Sequence, residues 1–123
     1  MKIVSATEAR TVTTAAAVMT AYAAPSQGSA ELCNWRVTMR PQTTGPVHAI
    51  DREQLWTVLA GTLTVAAAGT VATAGPGQTV ILPAGQDRQI TSGDESVDVL
   101  VCMAVGGRAT VPDAEPVPLP WAQ

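Results

Sequence analysis

Phenylalanine is absent from this chain, histidine and lysine occur once each, cysteine twice, and charged residues fill only 14% of the 123 positions. Each scarcity excludes something. Without Phe, and with aromatics at 3%, the apolar 46% rests mainly on Ala and Val, so a core needs many small side chains. One lysine, Lys2, and a net charge of −3 leave no basic cluster, which argues against nucleic acid and anionic membranes as partners. Cys33 and Cys102 form no CxxC pair. Both sit in apolar alternating runs and are expected as buried free thiols, with a disulfide between neighbouring strands as the alternative. No stretch of 18 apolar residues exists, so no helical membrane span is expected. The segment TVTTAAAVMTAYAAP resembles a weak signal peptide, but Glu8 stands in its charged region and Thr20 interrupts its apolar run. A retained segment and a cytoplasmic protein are expected. The thinly charged surface favours burial against a second copy, hence a homodimer.

What is present has a two-residue period. LCNWRVTMR (32–40) sets Cys33, Trp35, Val37 and Met39 against Asn34, Arg36, Thr38 and Arg40, a half-buried strand with its arginines facing solvent or an interface. QLWTVLA (54–60) sends Gln54, Trp56 and Val58 to one face and Leu55, Thr57 and Leu59 to the other. Gly61 breaks that run, and TLTVAAA, TVATA, TVILP and RQIT follow as short strands between turns. VDVLVCMAV (97–105) is the last long strand, with Val97, Val99, Val101 and Met103 together. Near the N-terminus a helical turn is expected at 6–10 and a strand at 18–22. Prolines 112, 116, 118 and 120 keep the tail out of a central strand, so it should lie extended over the body. Short strands with glycine and proline punctuation mean an all-β sandwich or barrel.

Two stretches carry a family resemblance. In GPVHAIDREQLWTVLAG, His48 precedes Gln54 and six residues separate Gln54 from Gly61; in GQTVILPAG, Gly77, Pro83 and Gly85 keep a fixed spacing that puts Arg88 three positions on. Both resemble the two motifs of the cupins, in order and separated by 15 residues. The resemblance covers about 32–105 and implies a cupin-type double-stranded β-helix, a jelly-roll barrel. Its parts would be an N-terminal extension at 1–30, the barrel at 31–105 and a packed Pro-rich tail at 106–123. The closing GGRATVPDAEPVPLPWAQ also resembles the tail of small actinobacterial cupins.

The resemblance also implies four metal-ligand positions, and these fall on His48, Ile50, Gln54 and Arg88, while the first motif's opening glycine becomes Gln42. Ile50 donates nothing, Gln54 offers a neutral amide oxygen, and Arg88 is a permanent cation. A divalent ion ~5 Å from a guanidinium is repelled by roughly 7 kcal/mol at an effective dielectric of ~20. No metal and no cofactor are therefore expected, and the protein should purify without a stoichiometric transition metal.

With Gln54 inward, His48, Gln54, Trp56 and Arg88 would converge in a pocket lined by Ile50 and Val58 and suited to a small organic anion. Arg88 would attract the anion, Trp56 would stack on a ring, and His48, kept neutral beside a cation, would serve as acid or base. Plainer roles stay open at each position: His48 as a satisfied core group, Arg88 turned out to Asp87 or Glu53, Trp56 as filler, Gln54 as a backbone partner. Asp51, Arg52 and Glu53 read as a solvated loop. Two functions remain open. Metal-free cupins that epimerise nucleotide sugars through a histidine, and small cupins of actinobacterial secondary metabolism, imply an isomerase, cyclase or lyase. The other reading is a non-catalytic module that binds or senses a small ligand.

Overall fold

The computed structural model describes residues 1–6 and 10–123. Alternation of side chains builds three long strands first: β3 (Leu32–Met39), β5 (Gln54–Ala60) and β10 (Val97–Ala104). β3 and β10 bury every second residue, and β5 does so from Gln54 to Val58, as the period-two pattern requires. β10 lies between the other two, antiparallel to both. β1 (Thr11–Thr13), β2 (Val18–Ala23) and β8 (Thr79–Leu82) extend the sheet to the order β1-β2-β3-β10-β5-β8. Its register aligns inward rows across strands: Val37, Val99 and Val58; Trp35, Val101, Trp56 and Val80; Cys33, Met103, Gln54 and Leu82.

The opposite wall is assembled from shorter pieces. β7 (Thr70–Ala74), β6 (Leu63–Ala67) and β9 (Arg88–Ser92) form one sheet; β12 (Val117–Pro118), β11 (Arg108–Thr110) and β4 (Ala49–Ile50) form another. Bridges Thr44↔Thr91 and His48↔Arg88 join the chain leading into β4 to β9. A core of small and medium apolar residues fills the space between the walls, with Trp35 and Trp56 the largest buried side chains from the long strands. The all-β jelly-roll expectation holds.

The helical turn expected at 6–10 centres on residues 7–9, which lie outside the described residues. One local reading changes. Cys33 is buried, but Cys102 is only half-buried, because it lies on the outward face of β10. Cys33 pairs with Met103 and Cys102 with Asn34, so the one-residue offset puts the two thiols on opposite faces of the sheet. Both are free, and the disulfide alternative is excluded. The apolar TVIL run forms edge strand β8, where Ile81 faces solvent at 62% exposure while Leu82 is buried.

Candidate functional site

The barrel holds a cavity of about 430 Å³. β3 and β5 supply Trp35, Val37, Met39, Gln54 and Trp56; the opposite wall supplies His48, Ile50 and Ile90. The N-terminal residues 14–17 and Met19, the segment 44–46, and the tail residues Ala109, Val111, Leu119 and Trp121 add to the lining. The surface is overwhelmingly apolar, and apart from the indoles its polar side chains are Thr14, Thr44, His48 and Gln54.

Gln54 and Trp56, two apart on β5, face the same side and satisfy each other. Trp56 Nε1–H donates to Gln54 Oε1 (3.0 Å), and Gln54 Nε2 donates to Met103 Sδ (3.6 Å). The amide is thus committed before any ligand arrives. His48 reaches the wall through an antiparallel pair with Arg88: its N–H donates to the Arg88 carbonyl (3.0 Å), and its carbonyl accepts the Arg88 N–H (2.8 Å). The His48 Nδ1 lies 3.0 Å from the Pro46 carbonyl oxygen. A carbonyl only accepts, so Nδ1 carries the proton and Nε2 keeps its lone pair. Burial pushes the His48 pKa below its ordinary value, and the Arg88 cation adds to that; the Pro46 bond and Asp87 oppose it. The ring is neutral at pH 7.

Arg88 stands opposite His48 on the inner side of β9, two positions before the cavity-lining Ile90. It is only 1% exposed, yet it is not among the lining residues. Its Nη2 donates to the Pro83 carbonyl oxygen (3.1 Å), while Nε and Nη1 are buried with no partner among the described residues. Burial lowers its pKa and Asp87 raises it, but a guanidinium stays charged at neutral pH. It is therefore a buried cation without a carboxylate bonded to it among the described residues, beside His48 but outside the cavity lining. Val58 is likewise buried and outside the lining, one inward row farther along the sheet. Of the six expected site residues, the cavity brings together His48, Ile50, Gln54 and Trp56. Arg88 does not turn out to Asp87 or Glu53.

Sequence reasoning assigned no site role to Trp35, Met39, Ile90 or the tail. The first three were legible as inward positions of their strands. Trp121 had one signal, a lone large aromatic in a Pro-rich tail already expected to pack on the barrel. Asp51 does more than sit in a solvated loop: its Oδ1 accepts the Arg108 N–H (2.7 Å) and its own N–H donates to the Arg108 carbonyl (3.1 Å), tying the tail to the cavity rim.

The cupin-domain family model matches residues 35–104, more than half of the chain. The chain belongs to the cupin family. Among solved structures this cupin is similar to the polyketide cyclase RemF from Streptomyces resistomycificus, at 19% identity and a TM-score of 0.69 over 82% of this chain and 73% of that one. It is similar to the DMSP lyase DddQ from Ruegeria pomeroyi at 24% identity and a TM-score of 0.60, covering 73% of this chain and 44% of that one. The EutQ protein of Clostridium difficile gives 17% identity and a TM-score of 0.63 over 82% and 80% of the two chains. At these identities the likeness concerns the fold. The cupin spans less than half of the DddQ chain. A comparison with curated proteins returns no match.

The family's metal does not fit the residues present. Ile50 is aliphatic, the Gln54 oxygen is taken by Trp56, and a buried cation stands at Arg88. Among the described residues no three His, Cys, Asp or Glu side chains come close enough to share an ion. Zinc and iron sites need about three such donors.

Proposed function

We propose that this cupin binds a small, largely apolar organic anion in its cavity without a metal, and that His48 acts on it as acid or base. The reaction class is an isomerisation, cyclisation or lyase elimination, carried out in the cytoplasm. The observation that carries this is the cross-strand pairing of the cavity-lining His48 with a buried, unneutralised Arg88 at an otherwise apolar cavity. A unit charge ~7 Å from an anion is worth about 2 kcal/mol at an effective dielectric of ~20, so Arg88 favours anions without touching them. Ligand oxygens would meet the His48 imidazole directly. With Nδ1 held by Pro46, Nε2 is the atom that takes a proton and returns it. RemF and DddQ, a cyclase and a lyase by name, support a reaction of this broad kind on the same fold.

One observation favours a non-catalytic binding module. The partner of His48 Nδ1 is a carbonyl, not a carboxylate, so a positive imidazolium gains less stabilisation than in a His–carboxylate pair. Turnover decides between the readings; binding tests what they share.

Thermal melting with a panel of aromatic and enolisable carboxylates is the test. A ligand at 100 times its Kd adds about 2.7 kcal/mol, which raises the Tm of a domain this size by several degrees. Arg88→Met keeps side-chain bulk and removes the charge, so the shift should largely vanish. Equal shifts in wild type and Arg88→Met would overturn the anion pocket. Because the His48 pKa is lowered, its imidazole charges only below the ordinary histidine value; anion affinity should rise there while any proton abstraction at Nε2 falls away.

A further inference from the structure

We infer that the tip of the β1–β2 hairpin, residues 14–17, is a size filter at the mouth of the cavity, with Ala15 and Ala16 its specificity-determining residues. The bound molecule passes between this tip and the chain at 44–46. The inference rests on the cavity reading above and adds the route and the width limit of its ligand.

Burial marks the mouth. Most of the lining is closed off: Trp35, Val37, Met39, Ile50, Gln54 and Ile90 are each at most 4% exposed. Among the described residues, exposed positions of the lining fall on three stretches: Thr14 and Ala15, Thr44 and Pro46, and Val111. The first two stretches meet at one point, since a Cβ built on the buried Gly45 would lie 3.9 Å from the Ala16 Cβ. Both are anchored. The Gly45 N–H donates to the Ile90 carbonyl (2.9 Å). Thr14 Oγ1 accepts the N–H groups of Ala16 (3.3 Å) and Ala17 (3.1 Å), and the Thr14 N–H donates to the Ala17 carbonyl (2.9 Å), which closes the turn. Exposed turns ordinarily carry Gly, Asn, Asp or Ser. Here three alanines follow Thr14, and they line a cavity. With methyl groups on one side and a glycine on the other, no long side chain swings aside, so fixed backbone sets the width. His48, half-buried, stands two residues past the exposed Pro46, so a molecule that clears the mouth arrives at the imidazole.

Entry and exit cross the same constriction, so narrowing it slows both and leaves Kd nearly unchanged. Substitutions at ordinary contacts act mainly on dissociation. The probe is 2-naphthoate, followed by stopped-flow tryptophan fluorescence in wild type, Ala16→Leu and Ala15→Leu. In Ala16→Leu the association and dissociation rate constants should fall together by about fivefold or more, with Kd changing less than about threefold. Ala15→Leu, at an exposed position, should move both rates in the same direction. The wider anthracene-9-carboxylate should be slowed more than 2-naphthoate. Rates unchanged in both variants, a loss carried by dissociation alone, or equal slowing of the two acids overturns the filter and leaves the anion cavity standing. If neither acid binds wild type, the anion reading falls, and acrylamide, a small neutral quencher, decides the filter. Its quenching of the tryptophan lifetimes should drop in Ala16→Leu; equal quenching overturns the filter as well.

Discussion

Gly61 ends β5 with φ at +78°, and a Cβ built there would lie 2.2 Å from the Ser96 carbonyl oxygen and 3.1 Å from Val97 Cα. Backbone at the start of β10 cannot give way as a flexible side chain would. Gly61→Ala should therefore cost about 3 kcal/mol or more, combining left-handed strain with a steric clash. Gly77 has a similar φ of +83° but open space around it, so Gly77→Ala should cost only about 1 kcal/mol. Urea midpoints of the two variants check this, and equal losses would refute the steric account. Both glycines stand at motif positions, so their need for left-handed backbone was legible from spacing. Gln42 shows the reverse: it replaces the motif's opening glycine yet adopts φ +55°, held by its N–H on the Gly93 carbonyl (2.8 Å) and its amide on Asp94 (2.5 Å). The inward turn of Gln54 and Trp56 was legible too, because alternation sets the side of a strand. It does not set how far a long side chain reaches. Arg88 is buried on the inward face of β9, but its guanidinium is engaged by the Pro83 carbonyl, a partner from the preceding turn, and does not line the cavity.

At the scale of elements, β10 organises the molecule, since it alone joins the β1–β3 half of the large sheet to β5 and β8. Its outward Asp98 sits where the register with β5 shifts, and it is gripped from β3. Arg36 binds it through two nitrogens (Nη2 to Oδ2 2.6 Å, Nε to Oδ1 3.2 Å), and Thr38 Oγ1 donates to Oδ1 (2.7 Å). The Arg36 bond, then Thr38 and the arginine's charge, hold the Asp98 carboxyl below its ordinary value, against the pull of burial. The folded state thus binds fewer protons than the unfolded state, and stability from this contact is full above the unfolded pKa near 4 and lost as pH falls through the folded one. Asp98→Asn should cost about 1 kcal/mol at pH 7, since Arg36 is substantially exposed, and should flatten the acid-side loss of stability below about pH 4. Melting curves from pH 7 to 3 test this; a parallel pH profile in the variant would refute it. The strands themselves were readable from residue 32 onward because each carries its own alternation and turn residues. Cross-strand partners were not. The same gap hid the Asp51 clasp on the tail, which depends on register between distant segments, whereas the outward position of Cys102 follows from the alternation of β10 itself.

At the scale of the whole molecule, apolar side chains stay exposed at several places, among them one sheet face. On the outer face of the large sheet Leu55 and Ile81 are register partners, 38% and 62% exposed, and Leu59 further along β5 is 49% exposed. β8 is also an edge strand of that sheet, with unpaired backbone donors and acceptors. A monomer of 12.6 kDa is expected to expose roughly 6200 Å², whereas this chain exposes 6851 Å², some of it from the extended Met1 and Ile3. A stable dimer buries about 800 Å² per partner, an area that one sheet face can supply. A two-fold arrangement would present the same leucine and isoleucine row to itself, and the sparse surface charge offers little repulsion to oppose it. We propose that the protein is a homodimer paired through the β5–β8 face. Nothing in the two motifs encodes this, because they describe the inner wall and the dimer would use the outer one. Light scattering at micromolar concentration should give about twice 12.6 kDa, and Ile81→Glu should halve it without lowering the Tm of the isolated barrel by more than a few degrees. A wild-type mass of 12.6 kDa would refute the dimer, and a dimer that survives both Ile81→Glu and Leu55→Glu would move the interface to another face.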